Sequence, residues 1–335
     1  MSAFAEMTSG YRTELLVHCY RMVGSVQEAE DLVQETYLRA WRSFERFEGR
    51  SSVRTYLYRI ATNACLSLLA QRKRRIMPSA LPADGDPLWL EPIPDALLVG
   101  DPAVAAQSSA GIRLAFVAAL QHLPPVRRAA LILRDVLMLS AAETAEVLDT
   151  TPAAVNTALL RARKQMAEAA PRADDVGEPD DRRIRMLLDR YVTAFEAADL
   201  TALGRLMRED IALEMPPLPA WYRGRDEVLR FLGERVLDEP GRFRLSLTSA
   251  NGRPGILARL HDHDDVHAVH LPTWSGDAIS HLAIFLDPMT GRLFDKARST
   301  ARSATGRAGG PDEVGLTRPD QFLGEQPRKV HALRR

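Results

Sequence analysis

SAAETAEVLDTTPAAVNTALLRARKQM spans Ser140–Met166. Ala142, Ala145, Val147 and Leu148 recur at helical spacing and can pack inward, as can Val155, Leu159 and Ala162 after a break. Between the two runs Asp149-Thr150-Thr151 makes a tight turn. Pro152 suits the first turn of the next helix, where its missing N–H costs nothing. Two short helices joined this way form a helix-turn-helix. The exposed face of the second carries Thr151, Asn156, Thr157, Arg161, Arg163 and Lys164, with no acid until Glu168. Short polar groups at the N-terminal end can reach base edges in a major groove, and the arginines beyond can reach phosphates. A plain helical hairpin with a basic solvated face has the same pattern, so this segment points to DNA without settling it.

Further toward the N-terminus, Leu120-Gln-His-Leu-Pro-Pro ends one helix and Val126–Leu137 forms another. Before these, Val53–Arg75 reads as a helix mixing Arg54, Tyr56, Tyr58, Arg59, Thr62 and Asn63. Aromatics that stack on unpaired bases, set among cations, suit single-stranded DNA; core tyrosines on a solvated basic helix are the other reading. From Arg50 to Arg75 there is no Asp or Glu, whereas Glu28, Glu30, Asp31, Glu35, Glu45 and Glu48 crowd the stretch before it. The 44 basic and 44 acidic residues of the whole chain cancel, so the neutral average hides two faces of opposite sign. Leu15, Leu16, Cys19, Met22 and Val23, then Leu32, Val33, Tyr37, Leu38 and Trp41, mark two more helices. Gly24-Ser25 separates them, with Ser25 as N-cap and Glu28 as its capping-box partner.

With 335 residues, two or three domains are expected. No run approaches the roughly 18 apolar residues of a membrane span, and the start of the chain shows no export signal, so a cytoplasmic protein without membrane contact is expected. Cys19 and Cys65 lie in apolar helical patterns and read as buried thiols. Six prolines between Pro78 and Pro102 make a linker, and the acidic segment 171–181 makes a second. Beyond it, helices at Ile184–Phe195, Leu200–Met207 and Asp226–Arg235 precede strands at Phe243–Thr248, Gly255–Leu260, Val266–Leu271 and Ala278–Leu286. That succession is an α+β domain.

The string EAEDLVQETYLRAW at Glu28–Trp41 closely resembles region two of the extracytoplasmic-function sigma factors, and Phe47–Cys65 continues the resemblance. Leu123–Val136 followed by Ala154–Arg163 looks like region four of the same family. The resemblance implies a factor that binds core RNA polymerase and directs it to promoter DNA. It implies that Asp31, Gln34 and Glu35 dock on the clamp helices of the polymerase. Arg54, Tyr56, Arg59, Asn63, Arg72 and Lys73 would meet the minus-ten element, Asn63 lying where a flipped-out base is captured. Thr151, Asn156, Thr157, Arg161 and Arg163 would meet the minus-thirty-five element. Asn156 replaces the family's usual basic residue, and Ala158 stands where a long side chain is common, which implies weaker phosphate contact.

Asp189–Leu203, Ile211–Pro216 and Trp221–Leu229 resemble the opening of SnoaL-like (NTF2-like) domains, a cone with an apolar pocket. In the isomerases of that fold a Tyr in the first helix holds an oxyanion and an Asp before Pro is the base. Tyr191 keeps the first, but Met215 occupies the second, and a thioether cannot take up a proton near neutral pH. Glu214, next to it on a strand, should face the other way. No catalytic residue and no cofactor are therefore expected. His261, His263, His267 and His270 read as a polar hairpin, not a metal site. The pocket is a candidate for a small-molecule ligand. Leu88–Asp95 resembles the Trp- and Pro-containing linker of sigma factors whose extra domain packs on regions two and four and tunes them. Trp89 and Leu90 would offer an interdomain regulatory contact, with Trp221 and Tyr222 either its other half or packed in the core of the cone.

The expected organisation is multidomain. Two all-α units, region two at 8–76 and a region-four helix-turn-helix at 110–170, are followed by an α+β SnoaL-like cone at 182–298. Linkers lie at 77–109 and 171–181, and 299–335 form a disordered tail. The competing reading is a one-component regulator whose cone senses a small molecule; the acidic patch at Asp31–Glu35, which a plain repressor does not need, separates the two.

Overall fold

The structure, a computed structural model, describes residues 3–44, 52–71, 75–77, 88–98, 112–169 and 181–304. The chain opens with helices α1 (Ala3–Thr8), α2 (Arg12–Val23), α3 (Val26–Ser43) and α4 (Val53–Ala70). Gly24 ends α2 in the left-handed region at φ 73°, which a side chain would oppose. Ser25 then caps α3, its Oγ accepting from the Glu28 N–H at 3.2 Å. A second cap arrives from the linker: the Glu91 carboxylate accepts from Ser25 Oγ and from the Val26 N–H, each at 2.9 Å. A carboxylate at a helix N-terminus also complements the helix dipole.

After the linker come α5 (Leu114–Gln121), α6 (Pro125–Leu131), a wider π turn at Ile132–Val136, α7 (Ala141–Val147) and α8 (Pro152–Ala169). Ser140 and Glu143 cap α7 reciprocally, at 2.8 and 3.1 Å. These helices do not stand apart from the first bundle. Leu15, Met22, Leu57 and Cys65, then Leu90 and Ile93, then Val117, Leu120, Ile132 and Leu159 belong to one hydrophobic cluster. Cys19 and Cys65 are buried free thiols within it. Arg128, only 3% exposed, crosses the junction. Its guanidinium donates to Met22 O at the end of α2, to Gln121 Oε1 at 2.6 Å, and to the Gln121 and Leu123 carbonyls at 3.2 and 3.1 Å.

The C-terminal part begins with α9 (Asp181–Glu196) and α10 (Leu200–Arg205), and α11 (Arg225–Arg235) follows two strands later. Strands β1 (Arg75–Ile76) and β2 (Leu88–Trp89) pair in parallel within the N-terminal part. The main sheet is built from β3 (Met207–Glu214), β4 (Trp221–Arg223), β5 (Phe243–Ala250), β6 (Arg253–Leu260), β7 (Ala268–Ser275) and β8 (Ala278–Phe285). Their spatial order is β4-β3-β8-β7-β6-β5, with only β3 and β8 parallel. One face of the sheet packs on α9–α11 through Tyr191, Phe195, Ile211, Leu213, Met215 and Trp274, the core of an α+β cone. This is the architecture that the SnoaL-like resemblance implies.

The other face carries a helix that the sequence reading does not include. Helix α12 (Pro288–Ala304) lays Phe294 over Val269, Leu271 and Phe285, and the same cluster takes in Met77 and Leu114 from the helical part. The Asp287 carboxylate caps it, accepting from the Thr290 N–H at 3.1 Å. Gly291 lies inside it because a Cβ there would overlap the Val266 carbonyl. Of residues 299–335, expected to be a disordered tail, 299–304 instead continue α12, and 305–335 are outside the described residues.

Candidate functional site

Helix α3 buries Val26, Ala29, Leu32, Val33, Thr36 and Ala40, which fixes the opposite stripe as its free face. Asp31 and Gln34 are exposed there and Glu35 is half-exposed. One heptad on, the same face presents Leu38 at 50% and Trp41 at 62% exposure. In the sequence those two only marked helical period, although each lies two turns beyond Asp31 or Gln34. Glu35 forms an ion pair with Arg39 Nε at 2.6 Å, leaving Asp31 as the outermost acid of the stripe. An acidic face with a large apolar anchor fits a basic, grooved partner.

The residues proposed for the minus-ten element divide on α4. Arg59 and Asn63 are exposed one turn apart. Arg54 and Tyr56 instead brace the helix. Arg54 Nε donates to Glu14 Oε2 at 2.8 Å and stacks over Tyr58, while Tyr56 Oη donates to Ala40 O at 3.2 Å. Tyr58 is buried, and its hydroxyl donates to Glu14 at 3.0 Å. Arg72 and Lys73 lie outside the described residues.

On α8 the Thr151 side chain caps the helix, accepting from the Ala154 N–H at 3.2 Å. Asn156, Thr157 and Arg161 are exposed along one side of the helix. Arg163, two turns beyond Asn156, is engaged within the protein: its Nε and Nη2 hold Asp135 at 2.8 and 2.7 Å, an ion pair that raises the Arg163 pKa. Leu160, absent from the sequence-derived set, is 71% exposed in the same row as Asn156 and Thr157.

The linker contact takes a different form from the expected one. Leu90 is 1% exposed and buried among the helices, and Trp89 is half-buried on β2. Trp221 and Tyr222 are not its partners. They sit on β4, at the far edge of the sheet, where Trp221 is half-exposed and Tyr222 stacks on Phe231 with centroids 4.2 Å apart. The β5–β6 hairpin at the opposite edge meets the linker instead. Ile93 N donates to Asn251 Oδ1 at 3.0 Å, Asn251 N donates to Ile93 O at 2.9 Å, and Gly252 N donates to Asp95 Oδ1 at 2.8 Å. The linker's other side is held by the first bundle, where Tyr20 Oη donates to Glu91 O at 2.8 Å and Glu91 N donates to Gly24 O at 3.0 Å. Aromatic size drew the sequence reading to Trp221; backbone-to-amide pairing decided the contact.

Inside the cone Tyr191 Oη lies 3.0 Å from His270 Nδ1, and burial holds that imidazole down to about 3. Met215 lies in the apolar core, while Glu214 pairs with His281 Nε2 at 3.2 Å. His261, His263 and His267 lie on the β6–β7 connection and its end, and among the described residues no cluster of three or more metal-ligating side chains forms. Among them, too, no helix is long and apolar enough to cross a membrane.

Residues 8–75 match the family model for sigma-70 region 2, and residues 113–166 match that for sigma-70 region 4. The chain is 43% identical over 301 residues to the ECF RNA polymerase sigma factor SigG of Mycobacterium tuberculosis, covering 85% of this chain and 81% of that one. It is 32% identical over 254 residues to SigJ of the same organism, covering 73% and 77%. The crystal structure of the Mycobacterium tuberculosis ECF sigma factor SigJ has the same fold, with a TM-score of 0.56 at 24% identity over 84% of this chain and 96% of that one.

Proposed function

The chain belongs to the extracytoplasmic-function RNA polymerase sigma factors, and we propose that its C-terminal domain holds it in a closed state that cannot read a whole promoter. In this reading Asp31, Gln34, Glu35, Leu38 and Trp41 dock on core polymerase in the cytoplasm. Arg59 and Asn63 meet the minus-ten element, and Asn156, Thr157, Leu160 and Arg161 meet the minus-thirty-five element. The chain contributes no catalysis of its own, since Met215 stands where a base would be needed.

The observation that carries the closed state is the packing of α7 on α4, with α8 on α7. Packed helix axes lie about 8–10 Å apart, so the two reading helices sit within about 20 Å of each other. Elements named for positions about 25 base pairs apart are separated by more than two turns of duplex, on the order of 70–85 Å. One chain in this arrangement can cover one element at a time. Arg128 on Met22 O and the linker pinned between Tyr20 and Asn251 resist the separation that reading both would need. The α3 face favours this reading over a one-component regulator, which would have no use for it.

Run-off transcription across a promoter library, with core polymerase and the full chain, tests the assignment. Core binding by the full chain with weak initiation at defined sites is expected, initiation should rise when the linker contact is removed by Asn251→Asp, and Asp31→Arg should abolish both binding and initiation. A full chain that neither binds core nor initiates anywhere would leave the one-component regulator as the better account.

A further inference from the structure

We propose that Asn251-Gly252 is a deamidation site that the closed packing guards, and that reaction in an opened chain makes the opening permanent. This rests on the closed state proposed above and deepens it. The chain has three asparagines, Asn63, Asn156 and Asn251, and only Asn251 is followed by glycine. In an Asn-Gly step no Cβ shields the following amide nitrogen, so that nitrogen can reach the carbonyl carbon of the asparagine side chain. The two residues join β5 to β6 in a tight hairpin, with φ of 54° and 70°. Asp-Gly and Gly-Gly also suit such a turn, so the turn does not by itself call for the amide.

The reaction needs only water. The Gly252 nitrogen, its proton lost to solvent, attacks Asn251 Cγ; an N–C bond forms, the Cγ–Nδ2 bond breaks, and Nδ2 leaves as ammonia with a proton from solvent. Water then opens the cyclic imide at either carbonyl, giving aspartate or isoaspartate. In the closed chain each reacting group is held. Oδ1 accepts from the Ile93 N–H at 3.0 Å, and Nδ2 donates to Tyr20 Oη and Ile112 O, so Cγ cannot swing toward the backbone. The Gly252 N–H donates to Asp95 Oδ1 at 2.8 Å, which fixes the plane of that peptide. Asn251 is 1% exposed, so water is kept out as well. The product cannot return to this site. A carboxylate would set an oxygen against Ile112 O, which now accepts from Nδ2 at 2.6 Å, and would bury an unpaired charge. Isoaspartate would also lengthen the backbone of the turn and break the β5–β6 register.

The test ages the full chain in neutral buffer and follows deamidation at Asn63, Asn156 and Asn251 by peptide mass mapping. The native chain is compared with Tyr20→Phe, which removes one hold on the amide, and with the native sequence in denaturant. Asn251 should react at least about tenfold more slowly in the native chain than in denaturant. Tyr20→Phe should fall between the two at Asn251 and match the native chain at Asn63 and Asn156. Run-off initiation with core polymerase should rise in step with the fraction deamidated at Asn251. Equal rates at Asn251 in the native chain and in denaturant would overturn the guard, whether or not Tyr20→Phe folds. Aged chain that initiates no better than fresh chain, while Asn251→Asp does, would overturn the permanence and leave the closed state standing. If Asn251→Asp initiates no better either, the closed state fails, and the inference falls with it.

Discussion

Asn251 Nδ2 donates to Tyr20 Oη at 2.8 Å across 231 positions of sequence. The same amide nitrogen donates to Ile112 O at 2.6 Å, and Oδ1 accepts from the Ile93 N–H. One side chain, 1% exposed, thus satisfies groups on the first bundle, the linker and the start of the second helical unit. Its φ of 54° lies in the left-handed region that Asn tolerates better than most residues. A buried amide with every group engaged is costly to disturb, because each orphaned partner keeps its desolvation penalty.

Tyr20→Phe should therefore destabilise the chain by about 1–3 kcal/mol, since Asn251 Nδ2 loses an acceptor and Glu91 O loses a donor while the ring still fills its site. Denaturant unfolding of the full chain reads this as a lower midpoint. An unchanged midpoint would mean that water replaces the hydroxyl and that the joint is looser than its geometry.

Much of this was legible in local period and little of it in long-range pairing. The helix-turn-helix follows from Ala145, Val147, Val155 and Leu159 because a 3.6-residue period names its own buried face. Leu38 and Trp41 carry the same period yet stand in solvent, because periodicity marks a stripe and cannot say which stripe a second element covers. Asn251-Gly252 reads as an ordinary hairpin turn; its partners lie beyond any sequence window. Helix α12 escaped notice because Pro288 and Gly291 are read as breakers, and Gly291 is required by the Val266 carbonyl, a contact that no local pattern contains. Arg163 looked like its neighbour Arg161 until Asp135 was brought beside it.

Arg128→Met should cost more than Tyr20→Phe, on the order of 3 kcal/mol or above, because the carbonyls of Met22, Gln121 and Leu123 all lose a charged donor inside the core. Arg128→Lys should recover only part of the loss, since an ammonium cannot reproduce the planar fork. Thermal melts of the three proteins give the order wild type, Lys, Met. A Lys variant as stable as wild type would show that charge alone, without the fork, holds the joint.

Acid should loosen the fold through two buried histidines. His18, which shares a hydrogen bond with Thr62 Oγ1, and His270, beside Tyr191, are each held down to about 3, in both cases chiefly by burial. Unfolded imidazoles take up protons near 6.5, so the unfolded state binds more protons as pH falls below that value. Stability is full above pH 6.5 and declines toward pH 3, by roughly 2 kcal/mol per histidine at pH 5. Melting temperatures between pH 7.5 and 5 should fall for the native chain and fall less for His270→Gln. Parallel slopes for the two would exclude His270 as a source of the decline.

The exposed row of α8 separates three kinds of residue, and substitution should separate them in turn. Asn156→Ala and Leu160→Ala remove groups that can touch base edges, so each should cost about 1–3 kcal/mol of discrimination at one or two positions of the minus-thirty-five element and little on unrelated DNA. Arg161→Ala should weaken binding to all sequences alike and flatten the salt dependence, as loss of one phosphate contact does. Arg163→Ala should leave the DNA preference unchanged, because its guanidinium is already bound to both oxygens of Asp135. Binding of the chain to duplexes substituted one base pair at a time, at two salt concentrations, distinguishes the three. If Arg163→Ala lost discrimination as Asn156→Ala does, the Asp135 pair would have to break on DNA, and Arg163 would belong to the recognition row.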